Sequence, residues 1–159
     1  MVLPTRWMKP YMTSFFPDVN VWLALSDAGH FHHRDASSWF NLLPGDARLI
    51  FSGYSQLGLL RLLTNQSLMS QQTLTLGNAW RVYDTWLEDP RVEFHPESRG
   101  LDAAFRHATA PFAGKPACKW VSDCYLLACA RQSGAILVTF NKALVDLARK
   151  QGCQVLIPA

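Results

Sequence analysis

The sequence predicts an α/β fold in which helices flank a mostly parallel central sheet. Short apolar segments alternate along the chain with longer segments in which apolar residues recur every three or four positions, as strands alternate with helices in such folds. The 159 residues suit a single domain. Because 49% of them are hydrophobic and 17% are charged, the chain is predicted to bury a core and not to be disordered.

Five segments are predicted to be short strands because they are apolar, rich in aromatic or β-branched residues, and bounded by turn or helix signals. They cover residues 14–17, 49–51, 92–94, 135–139 and 155–157. Uniformly apolar strands are typical of parallel sheets, which are buried on both faces. The pattern begins near Met12, so residues 1–11 are predicted to be an N-terminal extension and residues 12–159 a single domain.

Seven segments between the strands show helical spacing. They cover residues 19–25, 33–43, 57–63, 73–87, 98–108, 122–132 and 142–150. Pro44 follows the second helix, Pro90 the fourth and Gly134 the sixth, and each is a common signal for the end of a helix. Ser122 is the predicted N-cap of the sixth helix.

Polar side chains are predicted where strands end and helices begin. Asp18 follows the first strand, Asp123 lies in the predicted first turn of the sixth helix, and Asn141 follows the fourth strand. In open α/β sheets ligands bind at the carboxyl ends of strands, and carboxylates there can hold Mg²⁺ or Mn²⁺. Such an ion can activate water and stabilise charge on a phosphodiester. A structural role is the alternative, since aspartate is also a favoured N-cap and first-turn residue.

Five segments, in order along the chain, resemble the PIN-domain ribonucleases and, among them, the VapC-type toxins of type II toxin–antitoxin systems. The segments are DVNVWLAL at 18–25, HRDASSWF at 33–40, SQLGLLRLLTN at 55–65, VSDCYLLACAR at 121–131 and GAILVTFN at 134–141. Each motif is weak alone. Five in one order, spanning nearly all of residues 12–157, are fairly specific.

The resemblance implies a PIN-like three-layer sandwich. It implies an endoribonuclease that hydrolyses RNA phosphodiester bonds with a divalent metal, Mg²⁺ or Mn²⁺. It also implies a cognate antitoxin protein that blocks the active site. A homodimer is expected as well, and residues 12–159 would then form one PIN-like domain.

The same resemblance assigns the site residues. The first and third acids of the family match Asp18 and Asp123, which are the predicted metal ligands. The second acid, usually glutamate, falls at Gln56, and the fourth, usually aspartate, falls at Asn141. Amide side chains offer carbonyl oxygens but no charge, so one metal is easier to support than two, with Asn141 helping directly or through water. Asp146 would compensate only if the last helix turned it inward.

Arg61 and Thr139 complete the predicted catalytic set. Arg61 lies about one helical turn beyond Gln56, so both are expected to face the site, where a guanidinium can hold a phosphate or pair with a carboxylate. Thr139 can hydrogen-bond the site from the end of its strand. An ordinary structural role remains the alternative for each, because threonine favours strands and arginine is common at surfaces.

The net charge and the cysteine content limit which cellular compartment and which partners we expect. A net charge of +3 permits an anionic partner without requiring one. The four cysteines show no zinc-site pattern, and His30, His32 and His33 lack a partner cluster, so a metal site there is the less favoured interpretation. No apolar run approaches the roughly 20 residues that span a bilayer. We therefore expect a cytoplasmic protein with no membrane association.

Two surfaces are candidates for partners. Arg106, Lys115 and Lys119 flank a Pro/Gly-rich loop and can guide an RNA backbone, with an ordinary solvated loop as the alternative. Trp80 and Trp86 lie six residues apart on one predicted helix and so do not share a face. One of them is expected in the core, and the other can serve an antitoxin or dimer contact.

Three functions remain open from the sequence. The first is a metal-dependent endoribonuclease toxin. The second is a catalytically impaired PIN-fold module that binds RNA or a partner without cutting, which Gln56 and Asn141 favour. The third, a nucleotide-binding doubly wound domain, ranks last because the chain lacks both the G-x-G-x-x-G motif and the Walker loop.

Overall fold

The computed structural model describes residues 12–159, and its centre is a sheet of five parallel strands in the order β3-β2-β1-β4-β5. The strands are β1 (Ser14–Pro17), β2 (Arg48–Phe51), β3 (Val92–Phe94), β4 (Ile136–Val138) and β5 (Val155–Leu156). All five were expected, so the predicted fold class is confirmed. The predicted extension, residues 1–11, lies outside the described residues.

Helices connect the strands. They are α1 (Val19–Ser26), α2 (His33–Leu42), α3 (Gly53–Leu63), α4 (Gln66–Met69), α5 (Leu76–Glu88), α6 (Leu101–Thr109), α7 (Cys118–Gln132) and α8 (Lys142–Lys150). The short helix α4 was not expected; the side chain of Asn65 caps it by accepting hydrogen bonds from two backbone N–H groups. Helices α5 and α6 begin at Leu76 and Leu101 and not at 73 and 98 as predicted.

The prediction that Ser122 caps the sixth helix is wrong. Helix α7 begins at Cys118, so Asp123 lies in its second turn and not in its first. The residue before the helix, Ala117, makes no side-chain cap. Instead the ring of Trp120 stacks on that of Phe112, with centroids 5.3 Å apart, and this contact anchors the first turn. Tertiary packing therefore replaces the expected cap.

Helix α3 also begins earlier than predicted, at Gly53 and not at residue 57. The side chains of Ser52 and Ser55 form a capping box, in which each hydroxyl accepts a hydrogen bond from the other residue's backbone N–H. The usual box has glutamate or glutamine at the later position, so a serine pair is a weak sequence signal.

Side chains of each strand alternate between two cores, which makes three layers. Phe15 and Phe51 belong to a core shared with α1, α2, α3 and α5. Phe16 and Leu137 belong to a second core, shared with α6, α7 and α8. Successive strand residues point to opposite faces, and helices cover the sheet on both faces. Polar side chains are therefore found mainly at the ends of the strands and not on the faces of the sheet. None of the helices in residues 12–159 is both long and apolar enough to cross a bilayer.

Candidate active site

Asp18 lies at the carboxyl end of the central strand β1, where the chain turns into α1. Its backbone N–H donates a 2.8 Å hydrogen bond to the carbonyl of Val138, which ties the turn to the end of β4. The residue occupies the N-cap position of α1, yet its carboxylate makes no capping hydrogen bond. The N–H groups of Val19 and Asn20 lie near the carboxylate without forming a capping hydrogen bond of normal geometry, so capping explains this aspartate only in part.

The Asp18 carboxylate is buried, with 6% of the residue exposed. The buried Thr139 hydroxyl donates a 2.8 Å hydrogen bond to its Oδ2 atom. Burial raises the pKa of the Asp18 carboxyl, and this effect outweighs the lowering by the hydroxyl of Thr139 and by the N–H groups of Val19 and Asn20. Asp18 forms no salt bridge in the part of the chain that the structure describes, and a metal ion would stabilise a buried carboxylate of this kind.

Asp123 faces the same place from α7. It is partly buried, and burial raises the pKa of its carboxyl. The negative charge of Asp18 raises that pKa further, so the two carboxylates lie close enough to repel each other. A cation between them would remove the repulsion.

Thr139 and Asn141 connect the end of β4 to the site. The Thr139 Oγ1 atom, which donates to Asp18, accepts a 3.1 Å hydrogen bond from the Asn141 N–H. The Asn141 side-chain oxygen accepts hydrogen bonds of 3.0 and 3.3 Å from the N–H groups of Ala143 and Leu144, which caps α8. The oxygen that a metal would need is thus engaged, and the amide nitrogen is the polar atom that the cap leaves free.

These elements enclose a cleft of about 390 Å³, here called the acid cleft. Its lining includes Asp18, Arg61, Asp123 and Asn141. The exposed side chain of Arg61 reaches it from α3 and forms no salt bridge within residues 12–159. The sequence therefore predicted all three charged residues of the lining, and Asn141 as well.

Gln56 does not line the acid cleft, which corrects the expectation that it faces the site together with Arg61. Its side chain lies beside the hydroxyl of Tyr83 on α5 and lowers the pKa of that hydroxyl, although burial raises it by more. Residues five apart on an α-helix point about 140° away from each other. Gln56 and Arg61 therefore cannot share a face of α3.

Some lining residues were missed by sequence reasoning. Tyr54 and Asn65 line the acid cleft from the two ends of α3, and Ser122 lines it next to Asp123. Ser122 was expected only as a helix cap, and the early start of α7 frees it for the cleft. Asp146 is exposed on α8 and is not part of the lining.

The donor set of the acid cleft suits one divalent ion. Within residues 12–159, no three His, Cys, Asp or Glu side chains gather as a metal-binding group. The carboxylates of Asp18 and Asp123 together balance the charge of one hard cation, whose other ligands would be waters, as is usual for Mg²⁺. His33 and His32 serve packing instead: His33 Nδ1 lies 2.7 Å from the Ala24 carbonyl, and His32 stacks on Phe140.

Known proteins match nearly the whole chain. The family model for the PIN domain matches residues 15–150. Ribonuclease VapC41 of Mycobacterium tuberculosis is 37% identical over 135 residues, which cover 81% of this chain and 90% of that protein. Ribonuclease VapC39 of the same organism is 29% identical over 140 residues, covering 82% of this chain and 91% of that protein.

Solved structures share the fold at low identity. VapBC2 from Rickettsia felis, bound to a DNA fragment from its promoter, matches with a TM-score of 0.67 and 12% identity, covering 92% of this chain and all of that chain. VapC20 of Mycobacterium tuberculosis, a toxin that cleaves the sarcin–ricin loop, matches with a TM-score of 0.61 and 16% identity, covering 83% and 93%. The solved structures show the fold, and the family model together with the 37% identity to Ribonuclease VapC41 shows that the chain belongs to the PIN-domain family, among its VapC-type ribonuclease toxins.

Proposed function

We propose that this chain is an endoribonuclease that hydrolyses RNA phosphodiester bonds with one Mg²⁺ or Mn²⁺ ion held by Asp18 and Asp123. The observation that carries the proposal is the pair of carboxylates that share the acid cleft and form no salt bridge within residues 12–159. Neither carboxylate caps a helix, because Asp18 makes no capping hydrogen bond and Asp123 lies in the second turn of α7.

Each residue of the acid cleft has a role in this proposal. Thr139 holds the Asp18 carboxylate in one orientation through its 2.8 Å hydrogen bond. The Arg61 guanidinium and the free Asn141 amide nitrogen can donate hydrogen bonds to phosphate oxygens. A bound divalent ion supplies the activation of water and the stabilisation of charge on the phosphodiester. Gln56 lies outside the cleft and so has no direct part.

A partner protein is proposed as well. The solved relatives include VapBC assemblies from Rickettsia felis and Haemophilus influenzae, and we infer by analogy that an antitoxin covers the acid cleft here. Helix α5 is our candidate for a homodimer or antitoxin contact. Trp80 on this helix is 41% exposed, whereas Trp86 is partly buried and its Nε1–H donates a 2.8 Å hydrogen bond to Ser26.

Cleavage of structured RNA by the purified chain tests the nuclease. We expect cleavage with Mn²⁺ or Mg²⁺, none with EDTA, and a loss of at least about 100-fold in Asp123→Ala, as is typical when a metal or charge-stabilising group is removed. Asp146→Ala is the matched control, since this aspartate is exposed on α8, and it should cut like the wild type. Metal-dependent cleavage that survives Asp123→Ala would contradict the assignment.

A second candidate is a module that binds RNA or a partner without cutting. Asn141 favours it, because the amide adds no negative charge to the two carboxylates of the acid cleft and its oxygen is engaged by the α8 cap. Cleavage by Asn141→Asp but not by the wild type would show that the wild-type chain is such a non-cleaving module and that asparagine at position 141 is the cause. Equal cleavage by both forms would exclude it.

A further inference from the structure

A second cleft, of about 460 Å³, lies beside the acid cleft on the other side of α7; we call it the aromatic cleft. Ser122 and Asp123 line the acid cleft, whereas Trp120 and Val121 line the aromatic cleft. The two clefts are therefore separated by roughly the width of one helix with its side chains, about 10 Å. A chain molecule bound in one can reach the other.

Two stacked aromatic rings form part of the wall of the aromatic cleft. The rings of Phe112 and Trp120 stack at 5.3 Å with an angle of 17° between their planes. Both are partly buried, and they pack on a small core of Ala108, Cys124 and Leu147. The core holds the rings in place, and their accessible parts line the cleft.

Cations surround this aromatic pair. Lys115 Nζ lies 5.5 Å from the centre of the Phe112 ring, and Lys119 Nζ lies 5.3 Å from the centre of the Trp120 ring. Both lysines are exposed, and neither forms a salt bridge in the described part of the chain. Arg106 also lines the cleft, paired with Asp102, and no acidic residue is in the lining. The surface is positive as well as aromatic.

We propose that the aromatic cleft binds an unpaired nucleotide of the RNA strand that enters the acid cleft. Lys115 and Lys119, whose ammonium groups lie over the two rings, move to the flanking phosphates, and the nucleobase packs against the ring that is thereby uncovered. Aromatic stacking and backbone cations are the two features by which proteins hold single-stranded nucleic acid. The role of the strand as substrate rests on the proposed nuclease function; binding itself does not.

Binding of a short fluorescent single-stranded RNA, followed by anisotropy in EDTA, tests the aromatic cleft without cleavage. We expect Phe112→Leu and Trp120→Leu to weaken binding at least about five-fold, since stacking on one ring contributes about 1–3 kcal/mol. Trp120→Phe keeps an aromatic ring and should bind nearly like the wild type. Phe94→Leu, an exposed residue on the edge strand β3, is the matched control and should have no effect.

The lysines are tested by the dependence of affinity on salt. Removing one cation that neutralises a phosphate of a single strand should reduce the slope of log affinity against log salt by about 0.7, so Lys115→Ala and Lys119→Ala should each show this change. Lys150→Ala, at the exposed end of α8, should leave the slope unchanged. A packing defect would not change the slope in this way, and thermal melts show whether each variant is folded.

Three results would overturn the proposal. One is wild-type RNA affinity in the folded leucine variants, which would leave the aromatic cleft to a protein partner. Another is a loss of affinity for duplex RNA in the leucine variants that is as large as their loss for single-stranded RNA. The third is a free mononucleotide that binds as tightly as the strand. Since anisotropy is read without metal, failure of the nuclease proposal shows only in the Asp123→Ala cleavage assay and is distinguishable from these results.

Discussion

For single residues, the site depends on which atoms of each side chain are already engaged. Asp18 and Asn141 both lie between a parallel strand and a helix. The Asp18 carboxylate accepts from Thr139 and caps nothing, whereas the Asn141 oxygen caps α8. Two similar positions thus differ in how their side chains are engaged, because the Asp18 carboxylate makes no capping hydrogen bond whereas the Asn141 oxygen stabilises a helix.

Replacing Asn141 by aspartate is expected to strengthen metal binding. One carboxylate oxygen can keep accepting hydrogen bonds from Ala143 and Leu144 while the other adds charge to the acid cleft. We expect Mn²⁺ affinity, measured by titration calorimetry, to rise on the order of ten-fold, the effect of one added charged ligand of about 1.4 kcal/mol.

Asn141→Ser is the control for that experiment, because it keeps an oxygen for the cap and adds no charge. It should bind Mn²⁺ like the wild type. An equal gain in the serine variant would mean that the gain comes from the helix cap, and no gain with aspartate would mean that position 141 does not reach the ion.

Among the helices and strands, the approach of α3 to α1 places Arg61 near Asp18. Gly58 makes this approach possible: a Cβ atom added there would lie 2.7 and 2.9 Å from the two methyl groups of Val19. Valine in a helix has one strongly preferred rotamer, so its methyl groups cannot move aside easily. A glycine that weakens α3 as a helix thereby lets the two helices pack at the acid cleft.

Gly58→Ala is therefore expected to lower both stability and RNA cleavage, although alanine is the better helix former. Overpacking of this kind costs about 1–3 kcal/mol, more than the roughly 1 kcal/mol gained in helix propensity. Urea denaturation measures the stability. Adding Val19→Ala, which removes the clashing methyl groups, should restore cleavage and relieve part of the loss.

Gly77 on α5 is the matched control, since nothing lies within 4 Å of an added Cβ atom there. Gly77→Ala should stabilise the fold by about 0.5–1 kcal/mol. If Gly58→Ala were as stabilising as Gly77→Ala, the α1–α3 contact would not be tight, and the explanation for Gly58 would be wrong.

Across the whole molecule, the sheet order assembles the site from distant parts of the chain. Strand β1 is central and β4 lies beside it, so the turns after them are neighbours although residues 18 and 139 are far apart in sequence. Helices α3 and α7 add Arg61 and Asp123 from opposite layers. Metal binding at such a site is linked to the stability of the entire fold.

Asp18→Asn is expected to stabilise the metal-free protein near pH 7. Burial raises the pKa of Asp18, so the folded state keeps this proton to a higher pH than the unfolded chain does. Stability from this group therefore falls as pH rises through the interval between the ordinary and the raised pKa. The variant should melt higher in EDTA, by about 2–4 °C for each kcal/mol recovered, and the difference should shrink below about pH 4.

Mn²⁺ should reverse the order of the melting temperatures, so that the wild type melts higher than Asp18→Asn. At 100 times its dissociation constant, the ion should stabilise the wild type by about 2.7 kcal/mol, whereas Asp18→Asn should gain less. Asp146→Asn, on the exposed surface of α8, should melt like the wild type with and without metal. A lower melting temperature for Asp18→Asn in EDTA would show that Asp18 has a structural partner that offsets its burial.

The α/β class, the five strands and the presence of Asp18 and Asp123 in one cleft could all be predicted from the sequence alone. Apolar periodicity decides which segments become strands or helices, and Asp18, directly after a buried strand, reaches the carboxyl end of a parallel sheet. Asp123 lies in the second turn of its helix and not in the predicted first turn, so it was matched only through the family resemblance. The sequence also predicted Arg61, Thr139 and Asn141 as neighbours of these acids, and all three lie there.

How those side chains are used depends on the tertiary structure. Gln56 turns to Tyr83, and Trp120 starts α7 by stacking on Phe112. The Asn141 oxygen, within its own stretch of chain, could equally have faced the acid cleft. Local spacing sets the face of a helix on which a residue lies. Which atoms stay free depends partly on contacts between distant elements, as for Gln56 and Tyr83, and partly on which local partner wins, as for the α8 cap at Asn141.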